Sequence, residues 1–330
     1  MNAYTRASAI AIVGLSLILV TACGGGSGSL GTVPPVAPTP GASAASAAPD
    51  VTPGASATPS SSPLTPSAEP SLGTPSPSSS AATTGTMVVR AYFVLGGAPG
   101  SAGLVPVLRD VPQTAGVATA AMTALLAGPS VSEAADRTIT TAVPAGTTLL
   151  GITIKQGVAT VDLSTEFDSG GGADSLRYRL AQVAYTLTQF STVTSVVFQI
   201  EGQTVSVFGS AGVVLDGPVG RADFYGQLPS IFVDRPAYGA AIGNPAHVTG
   251  NADVFEATFR VALLGVSGAS LVDQQVMATC GTGCRGTFDV TLKYSVAKDQ
   301  WGTLRVYDLS AKDGSREDVR DYPVWLTAGG

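Results

Sequence analysis

The side chains in this 330-residue chain that could do chemistry are few: three cysteines, one histidine, a small group of carboxylates and two tryptophans. Cys280 and Cys284 flank Gly281-Thr282-Gly283, a tip flexible enough to bring the two sulfurs together. In an oxidising exterior they are expected to form a disulfide. Closing so small a loop stabilises by only about 2 kcal/mol through chain entropy. A zinc site would need two further ligands, and His247 is the single histidine. A redox dithiol would be helped by a basic neighbour such as Arg285, but the spacing is not Cys-x-x-Cys. A serine–histidine–aspartate relay would need His247 to reach a nucleophile. No Gly-x-Ser-x-Gly elbow occurs, so His247 reads as a structural or surface residue. Asp162, Glu166 and Asp168 follow a strand-like run, where the paired carboxylates of a sugar hydrolase could lie. The simpler account is a solvated loop, with nearby Asp174 capping a helix. Asp308 to Asp321 also contains Lys312, Arg316 and Arg320 and reads as a mixed-charge hairpin surface. Its spacing does not match a known calcium loop. Trp301 and Trp325 could form a sugar platform, but a small β-sandwich needs large core residues, and the core is where both are expected.

The third cysteine, Cys23, stands apart. Met1 to Ala22 carries a single cation, Arg6, and then an apolar run from Ala7 to Val20. That run is shorter than the ~20 residues a spanning helix needs and fits the apolar region of a secretory signal. Val20-Thr21-Ala22-Cys23 resembles the lipobox of bacterial lipoproteins. The resemblance implies removal of residues 1–22 and acylation of the Cys23 sulfur, with palmitate among the acyl groups expected there. Two or three acyl chains hold firmly where one does not, at about 0.8 kcal/mol per buried methylene.

From Cys23 to residue 86 the chain is almost wholly Gly, Ala, Ser, Thr and Pro, with Asp50 and Glu69 its only charges. Such a segment cannot bury enough apolar surface to offset its ordering entropy. It is expected to be a disordered stalk with ends roughly 40–50 Å apart, or ~190 Å at full polyproline extension. Its Ser/Thr/Pro tracts could carry O-linked sugars. Gly26-x-Gly28-x-x-Gly31 matches a dinucleotide fingerprint, but that motif works only between a strand and a helix. The formal charge is −6. No Lys/Arg cluster suited to nucleic acid or to an anionic membrane surface is present. Neither cofactor nor metal is expected.

At Met87 the composition changes. Met87 to Leu95 reads as a strand and Leu104 to Val111 as a second, at an edge because of Pro106. Ala115 to Ala127 reads as a helix stopped by Gly128-Pro129. Leu149 to Lys155 and Val158 to Leu163 form a hairpin around Gln156-Gly157. A second helix, capped by Asp174 or Ser175, follows. A second hairpin is expected from Ser195–Ile200 and Gln203–Phe208, turning at Glu201-Gly202. Two helices against one mixed sheet give a two-layer α/β domain over residues 87–209.

The ordered pieces Arg109-Asp110-Val111, Ala124 to Pro129, Val143-Pro144-Ala145-Gly146-Thr147, Gly157 to Ser164, Ala181-Gln182-Val183 and Thr186 to Phe190 together resemble the GerMN domain of sporulation and spore-germination proteins. The resemblance implies an extracytoplasmic, non-catalytic module with a fold likened to ring-building domains of envelope machines.

Residues 210–229 are rich in glycine and end in Leu228-Pro229, a plausible linker. Seven short strand-like runs follow within 230–328, from Ile231 to Leu326, separated by turns such as Asp313-Gly314, and indicate a β-sandwich. Asp234-Arg235-Pro236, Val248-Thr249-Gly250, Val254 to Ala257, Gly286-Thr287-Phe288 and Val306 to Ser310 resemble the immunoglobulin-like domain of bacterial spore-germination proteins.

The fold class expected is thus α+β: signal peptide and disordered linker, then a GerMN-like α/β domain and a C-terminal immunoglobulin-like β-sandwich. The function expected is that of a non-enzymatic lipoprotein, lipid-anchored on the outer face of the cytoplasmic membrane. There it binds envelope proteins or assembles with its own copies. A glycan- or peptidoglycan-binding module is one alternative and an unrecognised hydrolase is the other.

Overall fold

A computed structural model of the chain describes residues 85–328, except 99, 136 and 137. Cys23, the leader, the stalk and the glycine run at Gly26–Gly31 lie outside the described residues. No described helix is long and apolar enough to cross a membrane.

The first half opens with β1 (Thr86–Leu95) and β2 (Gly103–Pro112), which pair antiparallel along their full length. Helices α1 (Val117–Leu126) and α2 (Val131–Ala135) follow, then a two-residue strand β3 (Ile139–Thr140) on the other side of β1. β4 (Leu149–Lys155) and β5 (Val158–Leu163) form the expected hairpin. Gln156 and Gly157 both have positive φ (50° and 83°), the backbone a tight two-residue turn of matching twist requires. A short 3-10 turn, Thr165–Asp168, leads to α3 (Ala173–Leu187) and to β6 (Ser195–Ile200), which lies parallel to β5.

Three details differ from expectation. The strands make two main sheets, β2-β1-β3 and β4-β5-β6 extended by β7 (Gln203–Thr204), and a third, two-stranded one, instead of a single sheet. The second hairpin is broken: β7 is only two residues long, and β8 (Val207–Phe208) pairs instead with β9 (Val213–Val214). The residue before α3 is Gly172, with no side-chain cap. Asp174 sits inside the first turn, where a carboxylate favours the positive helix end without capping it.

α3 is buried nearly all round, and that burial includes polar side chains. β1 has β2 along one edge, but β3 covers only Val94 and Leu95 on the other. Buried backbone groups must be paired, so the remaining edge needs donors and acceptors from elsewhere. Gln182, Thr186 and Gln189 lie on one stripe of α3 and just beyond its end, spaced four and three residues apart. Gln182 Nε2 donates to the Tyr92 carbonyl at 2.9 Å, and the Tyr92 N–H donates to Thr186 Oγ1 at 3.2 Å. Gln189 accepts from the Arg90 N–H at 2.9 Å and donates to the Arg90 carbonyl at 2.6 Å. Three side chains thereby stand in for a missing strand. Gln182 also accepts from the Ala142 N–H at 2.7 Å, which fixes the loop after β3.

The second half is a sandwich. One sheet is β10 (Ile231–Arg235), β12 (Ala246–Ala252) and β15 (Gly286–Leu292). The other contains β11 (Ala241–Ile242), β13 (Thr258–Leu264), β14 (Ser270–Met277), β16 (Gln300–Leu309) and β17 (Arg316–Leu326), in the order β11-β17-β16-β13-β14. β15 alternates buried and exposed along its whole length, as a strand with one face on the core must. The expected strand at Phe255–Leu264 begins with a 3-10 turn, Phe255–Ala257, so its pairing starts at Thr258. Residues 210–229, expected to link the two halves, hold β9 and the 3-10 turn Ala222–Gln227, with Phe224 and Leu228 buried. One hydrophobic core runs through both halves, joined where Tyr185 meets Phe232 edge-on, with ring centroids 5.9 Å apart.

Gln182→Leu keeps the volume and helix propensity but leaves the Tyr92 carbonyl and the Ala142 N–H unpaired. At about 1–3 kcal/mol per buried orphan group, the variant should lose roughly 2–6 kcal/mol in a urea unfolding titration.

Candidate functional site

A group of charged and phenolic side chains gathers where the two halves meet. Arg90 and Tyr92 are two residues apart on β1 and therefore project to the same side. Asp234 of β10 receives both: Tyr92 Oη donates to Oδ1 at 2.5 Å and Arg90 Nη1 lies 3.5 Å from Oδ2. Arg221, from the segment between the halves, donates to the Tyr92 hydroxyl at 3.0 Å and sits 3.4 Å from Asp234. Its guanidinium also covers the Tyr185 ring at 4.7 Å. Burial pushes the Tyr92 and Tyr185 phenols well up, so both stay protonated. Burial also works against the Arg221 charge, but Tyr92 and Asp234 outweigh it and hold the guanidinium protonated. These groups are mutually satisfied and leave no nucleophile or free base.

A second contact between the halves is made by a buried arginine. Arg320 was expected on a mixed-charge surface, yet it is only 3% exposed. It reaches from β17 to the start of β2 and donates to the carbonyls of Ser101, Gly103 and Leu104, the last at 2.7 Å. Gly103 must be glycine there: its φ is +148°, and a Cβ would lie 2.6 Å from the Pro229 nitrogen. Beside it, the Tyr238 N–H donates to the Pro106 carbonyl at 2.9 Å. The edge strand that Pro106 signalled is therefore partly covered by the second half.

The remaining sequence candidates separate rather than converge. Asp162 accepts from the Gly202 N–H at 2.9 Å and Asp168 from the Gly209 N–H at 2.7 Å, each tying down a loop. Glu166 is exposed, and the Ser164 hydroxyl holds its carboxyl below the usual range, opposite to the upward shift a general acid needs. His247 is an exposed residue of β12, 3.3 Å from Asp289. Cys280 and Cys284 are joined as a disulfide. Arg285 is not spent on that disulfide: it donates to the Pro229 carbonyl at 2.9 Å and to Asn251 Oδ1 at 3.0 Å. Among the described residues no group of three or more His, Cys, Asp or Glu side chains could hold a metal. Asp308 and Asp313 each accept from a neighbouring backbone N–H, and Asp321 pairs with Arg305.

The tryptophans overturn their expected place in the core. Trp301 and Trp325 are directly opposite each other on β16 and β17, edge to face, with ring centroids 5.3 Å apart. Trp301 is 51% exposed and Trp325 half-buried. The alternation along β16 carries the reason: buried Gly302, Leu304 and Val306 take the inward phase, so Trp301 falls on the outer one.

An α/β module locked to an immunoglobulin-like sandwich is the class this architecture defines. Residues 90–206 match the Germane family of sporulation and spore germination, and residues 230–315 match Gmad2, the immunoglobulin-like domain of bacterial spore germination. The chain thus carries both domains and is of the sporulation and germination type. Among solved structures it is similar to the first GerMN domain of the sporulation protein GerM from Bacillus subtilis, at 26% identity over 42% of this chain and 100% of that one, with a TM-score of 0.35. It is also similar to the tandem GerMN domains of the same protein, at 18% identity over 63% of this chain and 62% of that one, with a TM-score of 0.37. No curated protein matches the chain.

Two outcomes follow from this geometry. Arg320→Met removes the donors of three buried carbonyls and should cost about 3 kcal/mol, at about 1 kcal/mol each. Arg320→Lys should recover only part of that in the same urea titration, because an ammonium cannot span the three acceptors. The second concerns Glu133, which Arg109 grips through both guanidinium nitrogens at 2.9 and 2.6 Å. Burial alone would raise its carboxyl, but the bonds from Arg109 and Ser130 outweigh it and hold it below the ordinary value of 4.5. A carboxyl lowered on folding stabilises above its unfolded pKa, and that contribution disappears as pH falls through the folded value. Glu133→Gln should therefore lower the melting temperature at pH 7, and the gap to wild type should close as pH drops below about 4.5.

Proposed function

We propose that this protein is a non-enzymatic, lipid-anchored envelope component that binds other envelope proteins or further copies of itself. The observation that carries this reading is the junction. Arg90, Tyr92, Arg221, Asp234 and Arg320 are all consumed in fixing a Germane domain to a Gmad2 domain. Such a body presents two domain surfaces in one fixed relation, which suits a docking part better than a catalyst that must open and close. The use of Asp162 and Asp168 to hold loops, with Glu166 left exposed, supports the same reading. The anchor rests on Val20-Thr21-Ala22-Cys23 and the short apolar leader before it. Localisation on the outer face of the cytoplasmic membrane follows from that anchor.

Labelled palmitate fed to cells should enter the intact protein and not a Cys23→Ala variant, which should leave the membrane fraction. Cross-linking in those cells, read by mass spectrometry, should recover a reproducible set of envelope proteins or self-links that the released variant loses. Wild type without label and found in the cytosol would remove the anchor. A labelled, correctly located protein with no cross-linked neighbour would remove the assembly role.

A further inference from the structure

The outer face of the five-stranded sheet carries a strip that neither the junction nor the core uses. On β16 and β17 every second residue faces outward, and three cross-strand pairs follow one another: Trp301 with Trp325, Thr303 with Pro323, and Arg305 with Asp321. The last is a two-pronged ion pair, with both N–O distances 2.7 Å. The strip therefore runs from aromatic to hydroxyl to a charge pair that is already neutralised. At its aromatic end Trp301 and Pro323 border an open cavity of about 420 Å³, lined also by Tyr238 and by Leu108, Ser132 and Thr138 of the first domain. That volume is within the ~300–1,000 Å³ of small-ligand clefts.

We infer that Trp301 and Trp325 form a stacking platform for a neutral pyranose glycan, with the adjoining cavity receiving a neighbouring sugar or its N-acyl group. A pyranose with equatorial substituents has an apolar C–H face and a rim of hydroxyls, and an exposed indole offers an apolar face of matching size. Two indoles 77° apart make a corner, which can hold one ring by its face and the next by its edge. Thr303, Ser132 and Thr138 supply neutral hydroxyls around it. Arg305 is spent on Asp321, and the one carboxylate lining the cavity, Glu133, is gripped by Arg109, so no net charge remains to recruit a phosphate-bearing polymer. Two indoles and a proline are also too small to be the apolar centre of a stable protein interface, which buries roughly 1,200–2,000 Å². The inference does not rest on the assembly reading above.

The chain has two tryptophans, both in this pair, so its emission on selective tryptophan excitation reports on the platform alone. The full-length protein in detergent would be titrated with the β-1,4-linked tetrasaccharide of N-acetylglucosamine and, separately, with cellotetraose. It would also be tested for retention on purified peptidoglycan. A saturable change in emission with the N-acetylated sugar is expected, together with retention on the wall polymer. Trp301→Ala should weaken both at least ten-fold, and Trp301→Phe should restore most of the retention. An equal response to cellotetraose would identify the ligand as an equatorial glucan in general, without preference for the wall polymer. Trp301 is half exposed, so an unfolding midpoint close to wild type is expected for Trp301→Ala. Should that variant unfold, Thr303→Arg, which places a long charged side chain over the strip, must abolish retention instead. No change in emission with either sugar, or retention indifferent to these substitutions, overturns the platform.

Discussion

Before Val94, strand β1 crosses the interior with no neighbouring strand on one side, and its backbone amides and carbonyls cannot be left unpaired there. Gln182, Thr186 and Gln189 supply the missing partners, and this constraint sets the position of α3 more tightly than its apolar faces could. Hydrophobic burial is non-directional, so leucines alone would allow the helix to slide. Four side-chain bonds to two fixed residues do not. The same residue, Tyr92, then carries the constraint onward. Its backbone is held by α3, and its hydroxyl is held by Asp234 of the second domain. Helix, strand and sandwich are coupled through one tyrosine.

That coupling explains why a chain with only 12% charged residues places several of them, buried or half-buried, at the junction. Each interface charge faces a specific partner: Asp234 faces two arginines and a phenol, and Arg320 faces three carbonyls. A buried polar contact of this kind adds little net stability over well-packed apolar groups. It does penalise every other arrangement, because a shift of a few ångströms would orphan several groups at once. For Germane and Gmad2 domains that share one apolar core, the polar contacts settle which docking is adopted.

The elements were largely readable because their signals are local. The Gln156-Gly157 turn, the Gly128-Pro129 stop, the Pro106 edge and the alternation of Gly286–Leu292 each need only a few neighbouring residues. The disulfide was readable for the same reason. What escaped depends on distant partners. Arg320 lies among Asp308, Asp313, Glu317 and Asp321 in sequence, and nothing there shows that its acceptors are 216 to 219 positions earlier. Gln182 and Thr186 look like the polar side of an amphipathic helix, and only β1's missing neighbour turns that stripe inward. Trp301 and Trp325 were placed in the core by size. The phase of β16, with glycine at 302 between Trp301 and Thr303, was a local signal for the opposite face, and it outweighs bulk.

Exposed tryptophan on an outer sheet face is costly in a soluble body, since it invites association that a charged or hydroxyl side chain would prevent. Here the cost is contained by neighbours: the Thr303–Pro323 and Arg305–Asp321 pairs follow the indoles along the strip, and first-domain residues line the cavity beside Trp301. A surface built only to be inert would not pair two indoles directly across strands and then leave one of them half uncovered. Anchoring through Cys23, as proposed, would also change what such a surface needs to achieve. A site held beside a wall polymer works at an effective concentration far above that of free protein, so two indoles and a few hydroxyls suffice where a free binder would need a much larger contact. The locked junction serves the same end, because a platform walled partly by Leu108, Ser132 and Thr138 exists only while the two domains keep their fixed relation.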